Sequence, residues 1–320
     1  MPRLIGAAQA VTSVSQDAVT TTFNSTGPLT TAQYTTSLQY LVIAGGGGGG
    51  GHPSSPTFTV GTRGSASSIA GTPITTLTTV GGGGGDTGAF SPNPGQQPGG
   101  SGGGGGRNVV GAGTTNQGFP GGDGARAGSV GTDLCGGGGG AGSDGQDYQT
   151  SPVKSGNGGN GVANNITGSN VTRAGGGGSS TYYFGDIAVG TGGPGGGGNG
   201  GNASNTVSAG TANTGSGGGG WADNITNFQN FGAGGGAGGY RTSAPGQTSG
   251  GGASAESVLT VVGSTEYTIT VGGGGAGATN AGAGGSGVVI TKQPAVSITL
   301  ASSCWDIRQV FRQVKADNWV

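Results

Sequence analysis

Few side chains in this sequence are of a type that could carry out catalysis. His52 is the only histidine, and it stands between seven glycines and Pro53. A catalytic triad or a histidine-rich metal site would depend on this one residue, so we interpret it as part of a surface loop. Asp144 and Asp147, beside Tyr148, could form an acid pair or a weak calcium site, but the Asp-x-Asn-x-Asp-Gly pattern is absent. We therefore predict that the chain is not an enzyme and has no cofactor and no metal site.

The two cysteines do not indicate a disulfide scaffold or a metal site. Cys135 and Cys304 are far apart in sequence, and no metal-ligand spacing surrounds either of them. We interpret both as buried or unreactive thiols. The many Gly-x-Gly-x-x-Gly matches follow from glycine abundance, because no strand-to-helix pattern and no partner acid accompany them.

The composition excludes several classes of protein. Of 320 residues, 86 are glycine and 7% are charged, against averages of about 7% and about 25%. The net charge of −1 comes from scattered residues, so a basic surface for nucleic acid or membrane lipid is not expected. No apolar run is long enough to span a bilayer, and the N-terminus does not resemble a cleaved signal. A virion protein released by cell lysis fits these features.

The chain divides into three predicted parts. Residues 1–39 are rich in Thr, Ser, Ala and Gln and form a predicted docking leader. Residues 40–300 open with an apolar strand at 40–44 and then alternate glycine runs with polar segments. The glycine runs are 45–51, 81–85, 99–106, 136–142, 156–161, 174–178, 190–201, 215–220, 232–239, 249–252 and 272–287.

The end of the chain carries stronger secondary-structure signals. A β-hairpin is predicted over 257–271, and further strands at 287–291 and 296–300. Residues 301–320 form a predicted docking tail, in which a capping pattern and helical spacing indicate an amphipathic α-helix over 304–316. Its predicted docking residues are apolar: Trp305, Ile307, Val310, Phe311, Val314 and Trp319.

Glycine runs often behave as flexible linkers, because glycine loses more backbone entropy on ordering than any other residue. Without Cβ atoms, however, neighbouring runs can approach until each N–H meets a carbonyl of another run. We predict a fold that is mostly irregular with some β: stacked polyglycine II helices in a glycine-rich sandwich, with short flanking strands and a short C-terminal α-helix.

Three segments carry a resemblance to a known group of proteins. The sequences YLVIAGGGGGGG (40–51), TITVGGGGAG (268–277) and GGSGVVIT (284–291) resemble parts of phage glycine-rich tail fibre proteins. That group includes tail-tip adhesins built on a polyglycine II sandwich. The resemblance implies a virion location, other tail or fibre proteins as partners, and loops at one end that bind a host-surface glycan or outer-membrane protein. A homotrimer is one assembly that we consider.

Aromatic residues fall in several of the segments between glycine runs. If the runs alternate in direction, these residues share one end with the hairpin over 257–271. They then form either a small hydrophobic base or an aromatic tip that binds the receptor. The candidate receptor-binding residues are Tyr148, Tyr182, Tyr183, Phe184, Trp221 and Phe228, with Phe231 in the same set. If the aromatics form a base, the polar segments 52–63, 107–126, 162–173 and 202–214 become the predicted binding end.

Three functions remain open from the sequence. The first is a phage fibre or adhesin that recognises the host surface, and the second is a structural virion component without a ligand. The third is an ice-binding protein, which would present threonines at regular spacing along one face. The threonines cluster in the predicted loops instead, which argues against this third function.

Overall fold

The computed structural model describes residues 12–51, 59–87, 97–106, 110–127, 132–182, 188–202, 206–222 and 231–300. The chain forms two compact units. The smaller unit combines residues 1–19 with 294–320, and the larger one spans residues 20–293. We describe each unit by itself.

Eighteen β-strands form the regular secondary structure of the described residues, together with one 3-10 turn at Gly250–Gly252. The strands are β1 (Thr12–Gln16), β2 (Val19–Phe23), β3 (Gly27–Thr30), β4 (Ser37–Ile43), β5 (Ser67–Gly71), β6 (Ile74–Thr79), β7 (Ala125–Ala127), β8 (Thr132–Leu134), β9 (Gln149–Thr150), β10 (Val153–Lys154), β11 (Val162–Asn164), β12 (Val171–Arg173), β13 (Thr181–Tyr182), β14 (Tyr240–Thr242), β15 (Leu259–Thr260), β16 (Glu266–Thr270), β17 (Val288–Gln293) and β18 (Val296–Leu300).

A five-stranded sheet stands at one end of the glycine runs. Its order is β14-β4-β17-β2, and β15 also pairs with β4. The central strand β4 is apolar on both faces over residues 40–43, where Tyr, Leu, Val and Ile follow one another and all four are buried. In the antiparallel register of β4 and β17, Ile43 lies opposite Val288 and Leu41 opposite Ile290. Both faces of this strand pair are therefore available to pack against other parts of the chain.

Each face of the β4–β17 pair is covered by a different layer. On one face, Tyr40 and Val42 pack with Ile69, Tyr267 and Ile269 of a second sheet, whose order is β3-β16-β5-β6. The other face, which carries Leu41 and Ile43, packs on apolar residues of β11, β14 and the glycine runs. The large apolar side chains are thus concentrated in a β-sandwich at this end, which we call the sheet end.

The glycine runs are ordered by backbone hydrogen bonds rather than by side chains. Successive amides in 45–50 donate to three neighbouring segments in turn and return to the same segment after three residues. The donor–acceptor pairs are Gly45 N to Ser65 O (3.0 Å), Gly46 N to Gly285 O (2.9 Å), Gly47 N to Gly236 O (2.8 Å), Gly48 N to Thr62 O (3.0 Å), Gly49 N to Gly282 O (2.9 Å) and Gly50 N to Ala233 O (2.9 Å). In this network the buried N–H and C=O groups of the glycine runs bind one another. The polar backbone can therefore be buried without the cost of leaving these groups unpaired.

Close approach of the backbones explains why these positions are glycine. A Cβ atom added at Gly49 would lie 2.0 Å from the carbonyl oxygen of Gly219, and one at Gly235 would lie 2.2 Å from that of Gly47. Both obstacles are backbone atoms, which cannot rotate away as a side chain can. By contrast, a Cβ atom at Gly273 would meet nothing within 4 Å.

In the smaller unit, β1 and β18 form an antiparallel pair. Thr12 lies opposite Leu300 and Gln16 opposite Val296.

The strand predicted at 296–300 is confirmed by β18, and the one predicted at 287–291 corresponds closely to β17.

The predicted fold class is wrong. We predicted a mostly irregular chain of stacked polyglycine II helices with a few flanking strands and a C-terminal α-helix, but the structure is a set of antiparallel β-sheets, with 30% strand and 1% helix. Threonine-rich segments that we assigned to the leader and to a loop form the strands β2 and β6, since the β-branched Thr suits a half-buried sheet. The described residues contain no α-helix. The docking residues Trp305, Ile307, Val310, Phe311, Val314 and Trp319 lie outside them.

The predicted hairpin over 257–271 is also wrong. β15 pairs with β4, whereas β16 pairs with β3 and β5 in the other sheet. The turn between them is held to Thr31, whose carbonyl oxygen accepts from the Ser264 amide at 3.1 Å. Since Ser264 adopts a left-handed φ of 53°, the chain turns out of one sheet and into the other.

The boundary predicted at residue 39 falls inside β4. Within the predicted leader, β2 and β3 pair with β17 and β16 of the two sheets. These pairings make residues 20–39 part of the larger unit.

Candidate recognition surface

At the opposite end from the sheets, several chain segments come together, and we call this the loop end. Gly51 bridges to Thr59 and Trp221, Trp221 bridges to Gly201, and Thr87 bridges to Gly232. These residues flank the segments 52–58, 88–96, 203–205 and 223–230. The scaffold therefore brings at least one end of each of four separate segments to the same place.

The hydrogen bonds at the loop end fix these positions tightly. The Trp221 amide donates to Gly50 O at 3.0 Å, and the Ala222 amide donates to Gly201 O at 3.2 Å. The buried Asp86 carboxylate accepts from the amides of Thr87, at 2.7 Å, and Gly106, at 3.4 Å. One carboxylate thus binds backbone amides at the ends of two glycine runs, 81–85 and 99–106.

A small apolar cluster lies beneath the loop end. It consists of Cys135, Ala222, Phe231 and Ala233, all fully buried or nearly so. Next to it, Ser180 Oγ donates to Gly232 O at 2.8 Å and accepts from Gly232 N at 2.7 Å. Because Phe231 is fully buried in this cluster, we interpret it as a structural residue. This agrees with the alternative in which the aromatic residues form a small hydrophobic base.

The structure brings several of the candidate aromatic residues to the loop end. Trp221 is half-buried there, and Tyr148 is half-buried on the adjoining side wall, where its amide donates to Asp123 O at 3.0 Å. The Tyr182 backbone pairs with Asp133 in the β13-β8-β7 sheet. Tyr183, Phe184 and Phe228 lie outside the described residues, as does His52. The receptor-binding assignment stays a prediction.

The alternative set of polar segments does not share one end. The segment 162–173, half of which forms β11 and β12, lies at the sheet end, since Val162 and Ile166 pack in the cluster that includes Leu41. Residues that flank 52–58 and 203–205 lie at the loop end. The hairpin residues expected beside the aromatics lie in the sheets instead.

A carboxylate pair lies beside Tyr148. Asp147 Oδ1 accepts from the Asp123 amide at 2.7 Å. Burial raises the pKa of the Asp123 carboxyl, and the negative charge of Asp147 raises it further. Asp144 is exposed on the same segment. Within the described part of the chain, no group of three or more His, Cys, Asp or Glu side chains could hold a metal ion.

Sequence reasoning missed a row of exposed polar side chains that starts next to Tyr148. Gln146 Oε1 accepts from Asn157 Nδ2 at 2.9 Å, and Asn157 Oδ1 accepts from the Thr191 amide at 2.9 Å. Farther along, Asn199 Oδ1 accepts from the Gly192 amide, and Ser208 Oγ accepts from the Asn199 amide, both at 2.8 Å. One signal in the sequence could have indicated this row. Polar residues recur every third position between the glycine runs, as at Ser143, Gln146 and Gln149.

A groove of about 820 Å³ lies at the sheet end beside Arg241 and Glu256. The Arg241 guanidinium donates to both Glu256 oxygens, at 2.7 and 2.6 Å, and to Thr78 O at 3.1 Å. The Tyr40 hydroxyl also donates to Glu256, at 2.9 Å. Burial, followed by this hydrogen bond, raises the pKa of Tyr40. Because these charged groups bind one another, we interpret them as structural.

No helix among the described residues is long and apolar enough to cross a membrane. A search of curated proteins and of solved structures found no protein similar to this chain. The family model for the glycine-rich domain matches residues 16–235, more than half of the chain. The repeated glycine runs and the hydrogen bonds between them agree with that match, and the chain belongs to the glycine-rich domain family.

Proposed function

We propose that this protein is a component of a phage particle, a tail fibre or fibre-tip adhesin, and that its loop end recognises the host surface. The observation that carries the proposal is the set of bridges among Gly51, Thr59, Thr87, Gly201, Trp221 and Gly232. A scaffold that fixes the ends of several segments lowers the entropy lost when they bind a ligand. Tyr and Trp suit such a surface, because they offer large contact area with few torsions to restrict.

The proposed role is non-catalytic, and it places the protein on the virion surface with other tail or fibre proteins as partners. The ligand is a host-surface glycan or outer-membrane protein. Nucleic acid is not among the proposed partners, since the chain has 11 basic and 12 acidic residues and a net charge of −1.

A purely structural virion role is the second candidate, and the buried Phe231 favours it. At least one aromatic residue of the set closes the scaffold instead of facing a ligand. The two candidates differ over Trp221 and Tyr148, which are half-buried. The adhesin role requires them to contact the ligand, whereas the structural role requires only that they pack against the scaffold.

Replacing Tyr182, Tyr183, Phe184 and Trp221 together with serine is expected to abolish adsorption of phage particles to host cells. The particles should still assemble, because the hydrogen bonds between the glycine runs are made by backbone atoms. Adsorption is measured by counting free phage after mixing with cells. The matched control is serine at Val171 and Val258, two exposed apolar residues, which should adsorb normally.

Two outcomes would contradict the proposal. If the four-residue variant adsorbs like the wild type, these aromatics do not recognise the host. If the particles fail to assemble while the Val171 and Val258 control assembles, the aromatics are structural and the second candidate is correct.

A further inference from the structure

The side wall of the glycine runs carries an open groove of about 530 Å³ beside Tyr148. This volume lies within the range of about 300–1,000 Å³ that is usual for small-molecule sites. The groove is lined mainly by one segment, 143–149, with Gly121 from a neighbouring run. It lies toward the loop end, where the Tyr148 amide is tied to Asp123.

The groove combines one aromatic ring with several polar groups. Tyr148 is half-buried, whereas Asp144, Gln146, Asp147 and Gln149 are exposed. Asp147 is held in place because its Oδ1 accepts from the Asp123 amide. The Gln146 amide is held as well, because its Oε1 accepts from Asn157 Nδ2. A carboxylate and amides can bind vicinal hydroxyl groups as acceptors and donors, and a tyrosine ring can pack on an apolar face.

The polar row extends the groove across the surface. From Gln146 it passes to Asn157 and Thr191, and it continues at Asn199 and Ser208 on the next runs. Each of these side chains is exposed or partly exposed. Hydrogen bonds to a neighbouring side chain or to a backbone amide hold those of Gln146, Asn157, Asn199 and Ser208. A surface whose amides are already oriented loses little side-chain entropy on binding.

We propose that this groove and row bind an extended oligosaccharide. One pyranose would pack its CH face on the Tyr148 ring, with its hydroxyl groups toward Asp147 and Gln149. The following sugars would lie along the amide and hydroxyl groups of the row. This inference rests on the proposed function and extends it, because it names a glycan as the ligand and adds the side wall next to the loop end as a binding surface.

The charges of the groove favour a neutral sugar over other ligands. Asp144 and Asp147 would repel phosphate, sulfate and acidic peptides. A cation is disfavoured because the described residues offer no cluster of three metal-binding side chains. The rest of the row consists of uncharged Gln, Asn, Thr and Ser, so little of the binding free energy comes from charge.

The test measures binding of the purified chain to an array of neutral bacterial surface polysaccharides, with calorimetry on any hexasaccharide fragment that binds. We expect saturable binding. Tyr148→Ala should weaken it at least tenfold, and Tyr148→Phe, which keeps the ring, by less than threefold. Gln146→Ala should weaken it as well, because this side chain joins the groove to the row. The matched control is Gln33→Ala, an exposed glutamine at the sheet end, which should bind like the wild type.

Binding of no polysaccharide, or binding that Tyr148→Ala leaves unchanged, would overturn the inference. Loss of binding on raising the salt from about 50 mM to about 500 mM would also overturn it, because that dependence belongs to a charged ligand. The array distinguishes a failure of this inference from a failure of the proposed function. If the wild-type phage adsorbs to its host but the purified protein binds no polysaccharide, the adhesin role is retained and only the glycan site is ruled out.

Discussion

Replacing Gly49 with alanine is expected to destabilise the larger unit by at least about 3 kcal/mol. The new Cβ would lie 2.0 Å from Gly219 O and 2.4 Å from its carbonyl carbon, far inside normal contact. To relieve this, one run must move away from the other, which breaks the Gly49 N to Gly282 O bond and weakens its neighbours. Denaturant unfolding measures the change, and loss of soluble protein would be the extreme form of the same result.

The control is Gly273→Ala, in another glycine run, where a Cβ would meet nothing within 4 Å. This substitution should be neutral or stabilising by about 0.4–1 kcal/mol, because alanine restricts the unfolded chain. If Gly49→Ala lowers the free energy of unfolding and Gly273→Ala does not, glycine is required at position 49 because the neighbouring backbone lies so close. Equal stability of the Gly49→Ala and Gly273→Ala proteins would contradict this explanation.

Replacing Tyr267 with alanine is expected to destabilise the sheet end by about 3–5 kcal/mol. Tyr267 is fully buried between the two sheets, where it lies opposite Leu29 in the β3–β16 register. Large apolar side chains are scarce in this chain, so little else can fill the cavity. Its hydroxyl also accepts from the Val262 amide at 2.9 Å, and alanine removes that bond too.

Tyr267→Phe separates these two contributions. It keeps the ring and removes only the hydroxyl, so the expected loss is about 1 kcal/mol. Denaturant unfolding of both variants gives the comparison. A loss from Tyr267→Phe as large as that from Tyr267→Ala would mean that the hydrogen bond, and not the packing of the ring, stabilises this part of the sandwich.

Some parts of the fold were predictable from local pattern. The apolar run before Gly45 gives β4, the apolar run at 288–290 gives β17, and the alternation at 296–300 gives β18. For β4 and β17, pattern reasoning works because their side chains face an apolar core. The position of the glycine runs was equally visible, since each is mostly glycine even where Ser, Ala, Asn, Thr or Pro interrupts it.

Other parts could not be predicted because they depend on long-range partners. Leu77 is the one fully apolar residue between Thr75 and Thr79, yet β6 forms because β5 lies beside it and β16 completes the sheet. The turn at Ser264 looks like a hairpin locally, but Thr31 directs it into a second sheet. Sequence separation hides such contacts, because nothing near residue 264 indicates residue 31.

The candidate site was only partly predictable as well. Tyr148 and Trp221 were identified by residue type, and the structure places Trp221 at the loop end and Tyr148 on the side wall nearby. The polar row was missed, because Gln146, Asn157 and Asn199 are separated by turns and resemble ordinary loop residues. Only the pairing of the runs places them side by side.

The two halves of the larger unit have different physical roles. At the sheet end, apolar side chains such as Leu41 and Tyr267 supply the hydrophobic contribution to stability. Beyond it, the glycine runs extend the structure with hydrogen bonds and almost no side chains. Surface residues can therefore vary without disturbing a core, which suits a scaffold that presents variable binding segments.

The most direct test of this account is hydrogen–deuterium exchange of the glycine amides. We expect amides in 47–50, 217–220 and 234–236 to exchange as slowly as those of β4, because each donates to another segment of the same network. Peptide-level mass spectrometry resolves these runs from the segments 52–58 and 223–230. Exchange of the runs at the rate of an unstructured chain would contradict the account, since the glycines would then be linkers and not a scaffold.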